Sequence, residues 1–180
     1  MNIVTALRDA GAGWLVLLRG HGGWEAYFRA TRAGLATALV LFYLFCFVAV
    51  MLASLQVGVP EPINFLEIML VQSLWLVALL AATYATRTAL RTGTPVLPIF
   101  VPGIYALIAY LVGGTLITLV FGMLLPLLWL ALVFMLYRLG RAAGQWSIGV
   151  SVAFAVLTLV LLVGLPLTLY MLTAPALPAA

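Results

Sequence analysis

Long hydrophobic runs alternate with short charged segments along this chain, and the runs have bilayer length. A helix needs about 20 apolar residues to cross a hydrocarbon core of roughly 30 Å. The first run covers 33–55, around LVLFYLFCFVAVML; charges stop at Arg32 and resume only at Glu61. The second covers 67–86, between Glu67 and Arg87. The last covers 146–172 and carries no charge. Between Arg91 and Arg138 no charged residue occurs, over about twice the length of one crossing. A helical hairpin fits that stretch. Its turn falls at Gly113-Gly114 or near Phe121-Gly122, and the Gly-Gly pair is the stronger turn signal. Spans at 95–112 and 115–137 follow. Pro95, Pro98 and Pro102 then crowd the first turns of the third span, where early N–H groups lack partners anyway. Pro126 falls inside the fourth and predicts a kink.

Ahead of the first span the pattern changes. Trp24, Tyr27, Phe28 and Thr31 fall at helical spacing on one face, with Glu25, Arg29 and Arg32 off the stripe. An earlier apolar patch, Trp14 to Leu18, is closed by Gly20-His21-Gly22-Gly23. These features predict interfacial helices over 2–19 and 24–32, lying on the cytoplasmic leaflet, the second running into the first span. The expected fold is an all-α integral membrane protein. It has an N-terminal amphipathic segment at 1–32, a five-helix membrane domain at 33–172 and a short external tail at 173–180.

Charge placement supports the count. Cytoplasmic flanks collect basic residues. With the N-terminus inside, Arg8, Arg19, Arg29 and Arg32 are inside, and the first external loop holds Glu61 and Glu67 but no base. The second crossing returns to Arg87 and Arg91, two more lead to Arg138 and Arg141, and a fifth leaves the tail outside. All eight basic residues then lie on one side. A single crossing between Arg91 and Arg138 would split them.

Composition agrees: 67% of residues are hydrophobic and only 7% charged, against about 25% charged in a soluble domain. A soluble fold of 180 residues has too much surface to hide that much apolar area. The single cysteine, Cys46, forms no internal disulfide and no paired-cysteine metal site. All basic residues are arginine, which with the Ala/Leu richness points to a G+C-rich bacterial genome and hence to the inner membrane. No cleavable signal peptide is expected, because charges interrupt the first 30 residues.

Buried charge is the usual mark of intramembrane chemistry, since it costs at least roughly 2.5–3.5 kcal/mol on insertion scales. The deep spans contain none. Glu67, at the outer end of the second span, reads first as a carboxylate near a helix N-terminus. Gln72 reads first as an interhelical hydrogen-bonding group, with Ser73 beside it. The alternative makes Glu67, Gln72, Tyr105 and Tyr110, with Thr115 and Thr118, a polar path or ligand contact. Arg29, Arg32, Arg87, Arg91, Arg138 and Arg141 anchor topology or meet lipid phosphate. His21 lacks the second ligand and carboxylate that metal or acid–base work requires. Trp14, Trp24 and Trp146 fall near interfaces, whereas Trp75 and Trp129 fall deeper, as packing residues. No catalytic, metal or cofactor site and no nucleic-acid patch is expected.

The section LLPLLWLALVFMLYRLGRAAGQWSIGVSVAFAVLTLVLLVG is similar to bacterial Yip1-like membrane proteins. There a Pro-bearing, Trp-containing fourth helix leads through a short polar link to a small-residue-rich fifth. Pro126, Trp129, Tyr137, Gly140 and Gly144 carry the resemblance. It covers the last half of the chain in sequence character and the first half in layout. The expectation is a non-enzymatic scaffold that organises lipid, partner membrane proteins or copies of itself. The alternative is a small permease or channel subunit.

Overall fold

Thr31 opens the first long helix. Its extended backbone turns the chain, and its hydroxyl accepts the Gly34 N–H at 3.1 Å. In this computed structural model, which describes residues 3–58, 60–93, 95–120 and 124–173, all regular structure is helical among the described residues. Helix α1 (Ile3–Arg19) is followed by a single 3-10 turn at Trp24–Ala26. Then come α2 (Arg32–Val57), α3 (Pro62–Leu90), α4 (Leu97–Val120), α5 (Leu125–Ala142) and α6 (Ile148–Thr173). Helices α2 to α6 are each long and apolar enough to cross a membrane.

Successive long helices run antiparallel. Tyr43 of α2 meets Ser73 of α3, and Phe47 meets Phe65. Trp75 of α3 meets Tyr110 of α4, which meets Trp129 of α5; Gly140 of α5 lies against Ser151 of α6. Helix α4 sits between α2 and α5, while α6 joins α5 to α3. Every residue of α4 from Ile99 to Ile108 is buried, so this helix is the axis of the bundle. Large side chains such as Val40, Leu44, Leu70, Leu130, Phe134 and Val160 point outward instead.

Glycine sets the helix spacing. A Cβ at Gly103 would lie 2.7 Å from Leu79 Cδ2, and one at Gly113 would lie 2.9 Å from Leu128 Cδ1. Helices surrounded by lipid gain little from mutual hydrophobicity and associate through close van der Waals contact, which small residues allow.

Several expectations are corrected. The turn does not fall at Gly113-Gly114. Helix α4 runs through both glycines and α5 begins at Leu125, because the pair serves as a contact surface for Leu128. Residues 121–123, which include the Phe121-Gly122 alternative, lie outside the described residues. Pro126 therefore stands in the first turn of α5, where it disturbs no helical hydrogen bond. Pro95 precedes α4, Pro98 lies in its first turn, and Pro102 lies inside it. Such a proline is tolerated where neighbouring helices cover the freed backbone groups, and Pro102 is buried. No helix spans 24–32. The 3-10 turn ends at Ala26, and Thr31 begins α2 afresh.

Candidate functional site

The structure does not gather Glu67, Gln72, Tyr105 and Tyr110. Glu67 is exposed in the second turn of α3. Gln72 Oε1 is buried without a hydrogen-bond partner. Its neighbour Ser73 makes the interhelical bond instead: Ser73 Oγ donates to Met69 O at 2.9 Å and accepts from the Tyr43 hydroxyl at 2.9 Å. Tyr105 lies near the arginine-rich end, with its ring 6.0 Å from Phe28.

Tyr110 stands in mid-bundle between Trp75 and Trp129, at ring distances of 5.4 and 5.2 Å. Two of these rings, Trp75 and Tyr110, line a cavity of about 290 Å³. Ala49, Leu52 and Ala53 of α2 line it, with Gly114, Thr115 and Thr118 of α4. The lining runs along α4 from Tyr110 to Thr118, so the cavity lies on the side away from the arginines. Its threonine hydroxyls are spent internally: Thr115 donates to Leu111 O and Thr118 to Gly114 O, each at 2.9 Å. The buried hydroxyls of Thr83, Thr86 and Thr158 likewise donate to their own helices at 2.8 Å.

The arginines collect at the other end. Arg32 opens α2, Arg87 and Arg91 close α3, and Arg138 and Arg141 stand in the last turns of α5. Arg87 lies over the Tyr84 ring at 5.6 Å, and Arg91 adopts a left-handed conformation as the cap of α3. Segment 3–31, which carries Arg8, Arg19 and Arg29, docks on this end. The inner face of α1 buries Ala6, Ala10, Gly13, Trp14 and Leu17. Phe28 packs edge-on to Trp14 at 6.1 Å, and a Cβ on Gly13 would lie 2.6 Å from the Phe28 ring. Arg29 lines a small recess with Asp9, Tyr27 and Tyr105.

Arg138 ties α1 to the bundle. Its Nε and Nη2 donate to Leu17 O at 3.3 and 3.0 Å, capping the last turn of α1. Arg141 Nη1 donates to Trp146 O at 2.7 Å across the link into α6. Both line a second cavity of about 310 Å³ with Gly20, His21, Gly22 and Glu25. Gly20 is required there: its φ is +79°, and a Cβ would lie 2.6 Å from Arg138 Nη2.

Sequence reasoning missed this cavity because its walls come from residues 121 positions apart, Leu17 and Arg138. The glycines around His21 and the paired arginines were visible, but their meeting was not. Trp14, Trp24 and Trp146 do lie at the arginine end, yet they are buried in protein rather than turned outward. No group of His, Cys, Asp or Glu able to hold a metal occurs among the described residues.

Among the described residues, fold and site together define an all-helical structure with five helices of membrane-crossing length and apolarity, and an arginine-rich end. The chain matches no known family model, no curated protein and no solved structure.

Proposed function

We propose that this is a bacterial inner-membrane protein that crosses the bilayer five times, with its N-terminus cytoplasmic and its C-terminus external, and that works by binding rather than by catalysis. It organises lipid or partner membrane proteins, as its Yip1-like layout implies. The observation that carries this reading is the outer stripe of α1. Val4, Arg8, Gly11, Leu15 and Arg19 recur at helical spacing and all are exposed, with Val4 at 69% and Leu15 at 56%. The opposite face is docked on the bundle. Aliphatic groups that enter the acyl boundary, interleaved with arginines that meet phosphates, are what a helix lying in a leaflet needs. The outward large apolar side chains of α2 to α6 agree, because water tolerates no such continuous surface on a monomer.

A small permease or channel subunit is the second reading, favoured by the 290 Å³ cavity. Passage of a solute would require the cavity to open past the Trp75 and Tyr110 rings that line it.

Co-purification tests the leading reading. The full chain, extracted in a mild detergent and weighed by native mass spectrometry, should retain a stoichiometric lipid or protein. The double variant Val4→Asp, Leu15→Asp should lose it while melting at the same temperature. A lone monomer, free of lipid and partner, would sink the proposal.

A further inference from the structure

We propose that the cavity at the arginine end is a binding site for a phosphate group, presented as a lipid headgroup phosphodiester or as a soluble phosphate ester. The membrane reading above matters here only for the source of that phosphate.

The first argument is charge. Arg138 and Arg141 line the cavity, and the hydrogen bonds that hold them go to carbonyl oxygens, which position a guanidinium without neutralising it. Glu25 is the one carboxylate in the lining, so two positive groups face one negative. The second argument is spare hydrogen-bonding capacity. A guanidinium has five N–H donors. Arg138 uses its Nε and one Nη2 hydrogen on Leu17 O, and Arg141 uses one Nη1 hydrogen on Trp146 O. The remaining donors keep the fork geometry that matches phosphate oxygens.

The third argument is preorganisation. The carbonyl bonds hold both side chains in place before any ligand arrives, so less rotamer entropy is lost on binding. Gly20 and Gly22 keep one wall free of side chains, and a side chain at Gly20 would displace Arg138. The fourth is room. About 310 Å³ equals roughly ten water volumes at ~30 Å³ each, enough for a phosphate and part of its shell.

Calorimetry on the full chain in a neutral detergent tests the site with three probes. These are glycerol 3-phosphate, dihexanoyl phosphatidylglycerol, and dihexanoylglycerol, which has the same chains and no phosphate. At least one phosphate probe should bind and dihexanoylglycerol should not. Binding of the phospholipid alone assigns a headgroup site; binding of glycerol 3-phosphate as well assigns a site open to soluble esters. Glu25→Gln, which removes the opposing carboxylate from an exposed position, should tighten binding about fivefold. Ala142→Asp, which places a carboxylate in the lining, should weaken it about tenfold, whereas Ala142→Asn should not. The proposal is overturned if neither phosphate probe binds, if dihexanoylglycerol binds equally well, or if Glu25→Gln fails to tighten binding. Failure of the membrane reading shows separately, in reporter fusions that do not involve this cavity.

Discussion

Gly144 has no room for a methyl group. A Cβ there would lie 2.5 Å from Trp146 Cδ2 and 2.8 Å from Gly140 O, a rigid ring and a backbone atom. Gly149, five residues on, has nothing within 4 Å. Gly144→Ala should therefore destabilise the α5–α6 link by about 1–3 kcal/mol, as overpacking does. Gly149→Ala should be neutral or slightly stabilising, because it removes backbone freedom from a helix. Thermal melts of the two variants in one detergent check this; equal midpoints would contradict it. The same paradox of local chemistry holds for the polar side chains. Gln72 was the obvious candidate for an interhelical bond, being the larger and better-equipped group. Ser73 makes that bond instead, because the Tyr43 hydroxyl reaches it across the α2–α3 contact.

At the scale of the helix, α4 is the instructive case. Its sequence contains a Gly-Gly pair that reads as a turn, yet the helix passes straight through it. Two glycines in a helix cost roughly 1 kcal/mol each in water. Here they admit Leu128 of α5 to within contact distance of the α4 backbone. Gly113→Ala should accordingly destabilise the protein, and Leu128→Ala, which empties the space that the new methyl enters, should relieve part of that loss. A double-mutant cycle by thermal melting should give a coupling of about 0.5–3 kcal/mol. Simple additivity would show that the two helices do not touch there. The first turn of α5 shows the opposite relation. Pro126 is harmless because the helix begins just before it, and a boundary misplaced by ten residues converts a start signal into an expected kink.

For the molecule as a whole, the testable property is the sidedness of its ends. The alternating directions of α2 to α6 bring Arg32, Arg87, Arg91, Arg138 and Arg141 to one end, where segment 3–31 docks with Arg8, Arg19 and Arg29. On the membrane reading proposed above, the positive-inside rule would put that end in the cytoplasm. Alkaline phosphatase fused after residue 60 or after residue 180 should be active outside the cytoplasm. Fusions after 93 and 145 should be inactive. Equal reporter activity at the two chain termini would require an even number of crossings and would refute the arrangement.

What the residue order determined by itself is the number of apolar runs and their alternation with arginine. These are local quantities: hydropathy sums over about 20 neighbouring residues, and so does the cost of crossing a bilayer. Tertiary structure decided which helix sits at the centre, that Gly113-Gly114 packs rather than turns, and that Tyr105 and Tyr110 lie in separate environments. It also decided that Arg138 meets Leu17. Each of these depends on a contact between segments far apart in the chain, where shape and hydrogen-bond geometry select one neighbour among many that are equally apolar.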